Sequence, residues 1–495
     1  MPSPQVRIGS RAPASGSSTR LAASLAGLKV HFMGAGGIGM SALMELARAR
    51  GAEVSGCDGC AGGQVPHLRA QGLPVAVGHD PSHAEACDVL VYSPAVPDDH
   101  PELLRARALG KPVHPRMSML GRVARSGRVI GVTGSHGKTT ITWMIAHLLL
   151  HSGRDPDVLV GGVVASLGSN VRVGKPDAAG LRELVLEVDE SDNRLHEIRP
   201  SLPVVSNIDN DHLEHYGGLR ALEAAITTYL ASAGEGARRD EAAALIGCGD
   251  DPRVRAALEM AVLQSGLPMF DYGFEAERTV RGENVRSEGM RVRFDARGPF
   301  GTWRGIELPM PGAHNALNAL AALSVGWRLG LGEDAVRAAL ACCERVGRRF
   351  EVKGEVAGVR VVDDYGHHPA ELAVTLRAAR DTSAGRVAVL FQPHRYTRTQ
   401  ALLDEFARVL AEGGAEAVLL LPVYAASEAP IAGADHASLA ARLRARGHAC
   451  AEALDGLDAA VERLAAWARP GDTVLVQGAG DVTEAAPLLL ERLRR

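Results

Sequence analysis

One stretch constrains this chain more than any other: Val129-Ile-Gly-Val-Thr-Gly-Ser-His-Gly-Lys-Thr-Thr140. Residues 128–132 read as a buried strand. Two glycines, Gly134 and Gly137, then turn the chain, and Lys138 and Thr139 open a helix whose apolar face includes Ile141, Ile145, Leu148 and Leu149. Strand, glycine loop, Lys-Thr and helix make a phosphate-binding loop, because free N–H groups at a helix start and the macrodipole both favour an anion. In that layout Gly134, Ser135, His136, Gly137 and Thr140 surround the phosphates. The Lys138 ammonium reaches the β and γ groups, and the Thr139 hydroxyl holds Mg²⁺. The strict pattern wants glycine where Val132 stands, so a plain Gly-rich turn is the alternative. Lysine usage bears on the choice: five of the 54 basic residues are lysines, and one is kept at the loop, where a guanidinium is no substitute for a compact ammonium.

A length of 495 residues suits two to four domains of about 100–200 residues each. The net charge of −4 gives no basic field, which argues against nucleic acid. No apolar run approaches the ~18 residues that span a bilayer, and no signal-peptide core is present, so a cytoplasmic protein without membrane insertion is expected. Seven cysteines in so long a chain do not make a disulfide scaffold. Cys57 and Cys60 form a C-x-x-C, which reads as a zinc or redox pair or as a glycine-rich turn that happens to hold two thiols.

Along the chain, residues 1–28 read as a disordered Ser/Ala/Pro/Arg tail, with Leu21, Leu25 and Leu28 spaced for a short helix. A strand at 29–33 runs into Gly34-Ala-Gly36-Gly-Ile-Gly39, a helix and a second strand ending in Asp58. This is a G-x-G-x-x-G fingerprint in which Gly36, Gly37, Ile38 and Gly39 cradle a pyrophosphate and Asp58 meets a ribose. The pyrophosphate can belong to a dinucleotide cofactor or to a nucleotide-sugar. Residues 29–127 form the first domain and 128–346 the second. In the second, Gly161-Gly162 and Gly168-Ser-Asn170 read as loops. A strand at 184–187 ends in Glu187-Val-Asp-Glu-Ser-Asp192, and a carboxylate beside a phosphate loop is the usual second Mg²⁺ anchor. A strand at 204–208 leads to Asp209-Asn-Asp-His212 and His215, suited to metal or phosphate contact. Residues 245–310 read as irregular and β-rich. A helix from about 311 to 329 carries Asn315 and Asn318 on one face, for an adenine edge or for packing. The third domain, 347–495, has polar residues at successive strand ends. These include Arg395 and Arg398, able to clamp a carboxylate or phosphate or to lie solvated.

Taken together, these motifs resemble the Mur ligase family from about Lys29 to the C-terminus. The resemblance rests on Gly34-Ala-Gly-Gly-Ile-Gly-Met-Ser41, Gly134-Ser-His-Gly-Lys-Thr-Thr140, Glu187-Val-Asp-Glu-Ser-Asp192 and Asn207-Ile-Asp-Asn-Asp-His212. It continues through His314-Asn-Ala-Leu-Asn318, Gly347-Arg-Arg-Phe350, Asp363-Asp-Tyr-Gly-His-His-Pro369 and Phe391-Gln-Pro-His-Arg-Tyr-Thr-Arg398. Several family members use a carbamylated lysine after the metal-binding histidine. This chain has no lysine between Lys175 and Lys353, which resembles the branch that adds L-alanine. Cys57 stands where serine is usual, and Asn210 and Ser427 also depart from the family pattern.

The resemblance implies three α/β domains: a Rossmann-like N-terminal domain, a central ATPase domain with a phosphate loop and a mixed, mostly parallel sheet, and a Rossmann-like C-terminal domain. It implies a ligase using ATP and Mg²⁺ to join L-alanine to the carboxylate of UDP-N-acetylmuramate through an acyl phosphate, acting as a monomer or weak homodimer. Lys138 would steady the phosphoryl group, and Thr139, Glu187 and His212 would hold metal. Asn315, Asn318, Arg349 and Asp364 would contact ATP. Tyr365, His367, Arg395 and Arg398 would form the alanine side, with His367 a candidate base. A recycling ligase joining a tripeptide to the same nucleotide-sugar is the nearest alternative. A dinucleotide-dependent oxidoreductase would leave the phosphate loop unexplained, and an ATP-gated binding module would show no amino-acid dependence.

Overall fold

The computed structural model describes residues 24–125, 127–191, 193–210, 216–233 and 241–495. Among them the strands assemble into three sheets, one after another along the chain. The first comprises β1 (Lys29–Met33), β2 (Glu53–Asp58), β3 (Val75–Val77), β4 (Val89–Tyr92) and β5 (Val113–Pro115), in the order β3-β2-β1-β4-β5. Every pairing in it is parallel. The order reverses direction at β1, the strand that feeds the glycine loop, and such a switch point is where open α/β sheets bind ligands.

The second sheet holds β6 (Arg128–Thr133), β7 (Asp157–Val164), β8 (Ser169–Arg172), β9 (Glu183–Glu187), β10 (Leu202–Val205), β11 (Leu245–Cys248), β12 (Met269–Gly273), β13 (Val280–Glu288), β14 (Arg291–Gly298) and β15 (Gly301–Leu308). Their order is β15-β14-β13-β12-β11-β10-β6-β9-β7-β8. From Val129 to Thr133, β6 is buried throughout, as a strand covered on both faces must be. It lies between β9 and β10, so the phosphate loop emerges between the two acidic strand ends noted above. The helix Lys138–His151 that follows is buried nearly all round and packs against the helix Ala313–Arg328. The third sheet contains β16 (Glu351–Val356), β17 (Val359–Asp364), β18 (Val387–Phe391), β19 (Ala417–Leu420), β20 (Ala451–Ala453) and β21 (Thr473–Gln477), in the order β16-β17-β21-β18-β19-β20. All its pairings are parallel except β16 with β17.

Three expectations change. Gly161 and Gly162 lie inside β7 rather than in a loop. A Cβ on Gly161 would sit 2.4 Å from Glu187 Oε1, and one on Gly162 would sit 2.8 Å from Val346 Cγ1, so close approach and not turning selects glycine there. Residues 245–310 are regular: a helix, Pro252–Ser265, capped by the Asp251 carboxylate, separates β11 from β12. Residues 24–28 form a turn rather than a helix, and residues 1–23, with the rest of the expected tail, lie outside the described residues. Among the described residues no helix is long and apolar enough to cross a membrane.

Candidate active site

The phosphate loop is built by backbone that only glycine can supply. Gly134 and Gly137 take φ of 124° and 82°, and a Cβ on Gly134 would lie 2.4 Å from Ser206 Oγ. The end of β10 clamps the loop. Asn207 accepts from the His136 N–H at 2.8 Å, its own amide donates to the His136 carbonyl at 3.0 Å, and Ser206 Oγ donates there at 2.6 Å. Lys138 Nζ donates to the Gly134 carbonyl at 2.7 Å, to Ser135 O at 3.2 Å and to Glu190 Oε1 at 3.0 Å. Burial alone would lower the Lys138 pKa, but Glu190, Asp189 and Glu187 outweigh it and hold the ammonium charged. Burial pushes Glu190 up to about 7 against the pull of Lys138.

Beside this ammonium the Thr139 hydroxyl donates to Glu187 Oε1 at 3.2 Å, and the Gly161 N–H donates to Glu187 Oε2 at 2.6 Å. Arg349, from the third domain, reaches Thr139 Oγ1 at 3.4 Å. Glu371 joins the same seam: its carboxylate lies 3.5 Å from His136 Nδ1 and 3.8 Å from Arg349 Nη1. Although burial alone would raise it, the His136 hydrogen bond and the charges of His367 and Arg349 keep this carboxyl well below the usual range. A cavity of about 270 Å³ opens between the two domains, lined by His136, Gly137, Thr140, Asn315, Asn318, Arg349, Asp364 and Glu371 among others. Burial raises Asp364 to about 6, and the same effect lowers His314, on the cavity wall, to about 4. Asn315 donates to the Pro311 carbonyl at 2.7 Å, so it tightens its own helix start as well as facing the cavity.

The first domain touches the second through Arg116 and the Ile38 carbonyl. Gly36 N–H donates to Asp58 Oδ2 at 2.8 Å, so Asp58 holds the glycine loop itself. A Cβ on Gly39 would lie 2.3 Å from Arg116 Nη1, and Arg116 Nη2 is 3.8 Å from Asp189, the neighbour of the Lys138 partner. Asn170 donates to the Ile38 carbonyl at 3.3 Å, and Gly37 caps the helix that begins at Ile38. In the third domain Arg348 and Arg349 lie over the Tyr365 ring at 5.1 and 5.4 Å. His367 stands edge-on to Tyr365 and 5.4 Å from the His394 ring. Arg398 Nη1 is 3.5 Å from His394 Nδ1, and Arg395 Nε is 3.9 Å from Glu428.

The site thus combines a phosphate-type loop, an acid-and-hydroxyl pair and a cavity between the second and third of three α/β domains. The "Mur ligase family, catalytic domain" pattern matches residues 29–128, "Mur ligase middle domain" 132–326, and "Mur ligase, glutamate ligase domain" 348–480. The UDP-N-acetylmuramate–L-alanine ligase of Anaeromyxobacter dehalogenans strain 2CP-C is 42% identical over 470 residues, 94% of this chain and 98% of that one. The chain belongs to the Mur ligase family. The crystal structure of the UDP-N-acetylmuramate–alanine ligase of Thermotoga maritima superposes on this Mur ligase with a TM-score of 0.77 at 27% identity, covering 94% of this chain and 99% of that one. A murein peptide ligase from Psychrobacter arcticus shares the fold, with a TM-score of 0.66 at 21% identity over 95% and 99% of the two chains.

Within this Mur ligase, His212 lies outside the described residues. Glu371 joins the site without having been noted in the sequence, Asn207 figures there only as part of a motif, and Gly161 only as a loop residue. His368-Pro-Ala-Glu371 has the spacing of a capping box, and Glu371 accepts from the His367 N–H at 2.9 Å and the His368 N–H at 3.2 Å. That spacing was the available signal. For Gly161 the Gly-Gly pair pointed to a loop, whereas its actual constraint comes from a carboxylate 26 positions away.

Proposed function

We infer that this Mur ligase joins L-alanine to the carboxylate of UDP-N-acetylmuramate at the expense of ATP, in peptidoglycan precursor synthesis. The observation that carries the reading is the two-domain phosphate site, in which Arg349 of the third domain meets Thr139 of the loop. It is supported by 42% identity across 94% of the chain to a ligase of that name.

A carboxylate is a poor electrophile, so it needs a leaving group. One carboxylate oxygen attacks the γ-phosphorus of ATP, the bond to the bridging β-γ oxygen breaks, and ADP departs. The amine of L-alanine then attacks the acyl phosphate carbonyl, the carbon–oxygen bond to phosphate breaks with its electron pair leaving on phosphate, and the amine passes a proton to His367, the candidate base. Catalysis of this kind is mostly positioning and charge neutralisation. Lys138 supplies a buried positive charge, and incoming phosphate oxygens displace the Gly134 and Ser135 carbonyls and Glu190 from it. Gly36, Gly37, Ile38 and Gly39 hold the diphosphate of the sugar substrate, and Asp58 keeps that loop in shape. Asn315, Asn318 and Asp364 border the nucleoside, and Arg349 faces its phosphates. Tyr365 and His367 line the amino-acid side, and Arg395 and Arg398 take its carboxylate.

The Thr139 hydroxyl and Glu187 carboxylate form an all-oxygen donor set suited to Mg²⁺, a hard cation. Bound there, Mg²⁺ supplies charge for the ATP phosphates. We also place the domain limits at 29–127, 128–346 and 347–495, a division that the sheet membership supports.

Phosphate release from ATP is the test, measured with UDP-N-acetylmuramate and each amino acid in turn. Release dependent on L-alanine, with a product heavier by one alanyl residue, is expected. Stimulation by a short peptide instead would move the assignment to a recycling ligase.

A further inference from the structure

The first domain carries a second cluster of metal-binding side chains that the ligase reaction does not use. His31 on β1, Cys57 on β2, His83 on the short helix His83–Ala86 after β3 and Glu102 on the helix Pro101–Ala108 present four ligand atoms within 4.8 Å of one another. His31 Nε2 lies 3.1 Å from Glu102 Oε1 and 3.3 Å from Cys57 Sγ. His83 Nδ1 is 3.1 Å from Glu102 Oε1, and Cys57 Sγ is 3.6 Å from that same oxygen. A tetrahedral ion with bonds of about 2.0–2.3 Å spaces its ligands by about 3.3–3.7 Å, so these edges are already close to those of a coordination tetrahedron.

We propose that His31, Cys57, His83 and Glu102 form a structural Zn²⁺ site beneath the glycine loop of the nucleotide-sugar domain. Three observations converge on it. First, charge: one thiolate, one carboxylate and two neutral imidazoles cancel a divalent cation, leaving a neutral buried centre. The Glu102 side chain is 0% exposed and His31 4%, so a cation there would offset a fully buried carboxylate. Second, orientation: His31 Nδ1 pairs with Ser55 Oγ at 2.9 Å, which aims Nε2 at the cluster, as an outer-shell partner of a metal ligand does. His79 Nδ1, 3.3 Å from Glu102 Oε2, steadies the second carboxylate oxygen in the same way. Third, access: His31 and His83 border a surface pocket that also includes Ser55 and Arg69, a route for the ion. Cys60, the other half of the C-x-x-C, is exposed and outside the cluster, so the partners of Cys57 are histidines and not its sequence neighbour.

The site bears on the ligand loop through one strand end. The Cys57 carbonyl accepts from the Gly34 and Ala35 N–H groups at 2.9 and 3.0 Å, and the next residue, Asp58, holds the Gly36 N–H. Zinc would therefore tie β1, β2 and two helices to the base of that loop.

Full-length protein stripped with chelator and titrated with Co²⁺ tests this. One equivalent should produce a sulfur-to-metal charge-transfer band with ligand-field bands of tetrahedral intensity, all displaced by Zn²⁺. The band should vanish in Cys57→Ser, which keeps the side-chain size, and persist in Cys60→Ser. His83→Ala, at a partly exposed position, should weaken Zn²⁺ binding at least about tenfold, and Zn²⁺ should raise the melting temperature of the parent protein but not of Cys57→Ser. No charge-transfer band in the parent, or a band that survives Cys57→Ser or is lost in Cys60→Ser, overturns the proposal.

Discussion

Lys138 is held by two carbonyls and a carboxylate, contacts that phosphate takes over in the proposed ATP site. Lys138→Ala should lower alanine-dependent phosphate release by about 10²–10³-fold or more, the usual effect of deleting a preorganised charge. Binding of UDP-N-acetylmuramate, measured by calorimetry, should stay unchanged. Gly161→Ala is a subtler probe: its methyl would fall 2.4 Å from Glu187 Oε1 and push the carboxylate from Thr139. The expected outcome is a large rise in the Mg²⁺ concentration needed for half-maximal rate, while the rate at saturating Mg²⁺ falls less. His136 and Asp209 give a pH signature. The His136 hydrogen bond, aided by the Asn210 N–H, depresses Asp209 to about 2 against the opposing effect of burial. A depressed carboxylate contributes stability that is fully present above its unfolded pKa of about 3.9 and is lost as pH falls toward the folded value. Urea midpoints should therefore drop less steeply between pH 4 and 2 in Asp209→Asn than in the parent chain.

At the scale of elements, two helix starts in the third domain place proposed site residues at their caps. The helix Pro369–Thr382 begins with a capping box, His368 with Glu371, and the same Glu371 faces His136 across the cleft. Glu371→Ala should destabilise the protein by about 1–2 kcal/mol, the worth of a lost cap, read as a lowered urea midpoint, and should also weaken ATP binding. The helix Tyr396–Glu412 follows Arg395, which has φ of 67°. A non-glycine residue held there stores about 1 kcal/mol or more of backbone strain. Arg395→Gly should accordingly gain stability while losing alanine-dependent turnover, a separation that thermal melts and phosphate assays resolve together.

At the scale of the whole molecule, a chain of side-chain contacts links the three domains around the glycine loop of the second. Gly39 touches Arg116, Arg116 approaches Asp189, and the neighbouring Glu190 holds Lys138; from the opposite side Arg349 reaches Thr139. Ligands that bind across such seams stabilise the assembly by mass action, about 2.7 kcal/mol at a hundredfold excess over Kd. A non-hydrolysable ATP analogue should raise the melting temperature in proportion to the logarithm of its concentration, and Arg349→Ala should flatten that dependence.

The linear chain determined the family, most of the strands and the loops between them, because each of these motifs is local. A glycine loop between strand and helix, an acidic strand end and a pair of arginines one helical turn apart are readable from spacing, and β1, β2, β6, β9 and β18 lie where alternation and glycine punctuation put them. Tertiary structure alone decided which distant groups meet. That Glu371 faces His136, that Gly161 is small to admit Glu187, and that Cys57 shares its surroundings with His31, His83 and Glu102 follow from strand order and domain contact. Contacts of that kind join residues dozens to hundreds of positions apart and leave no periodic trace in the sequence.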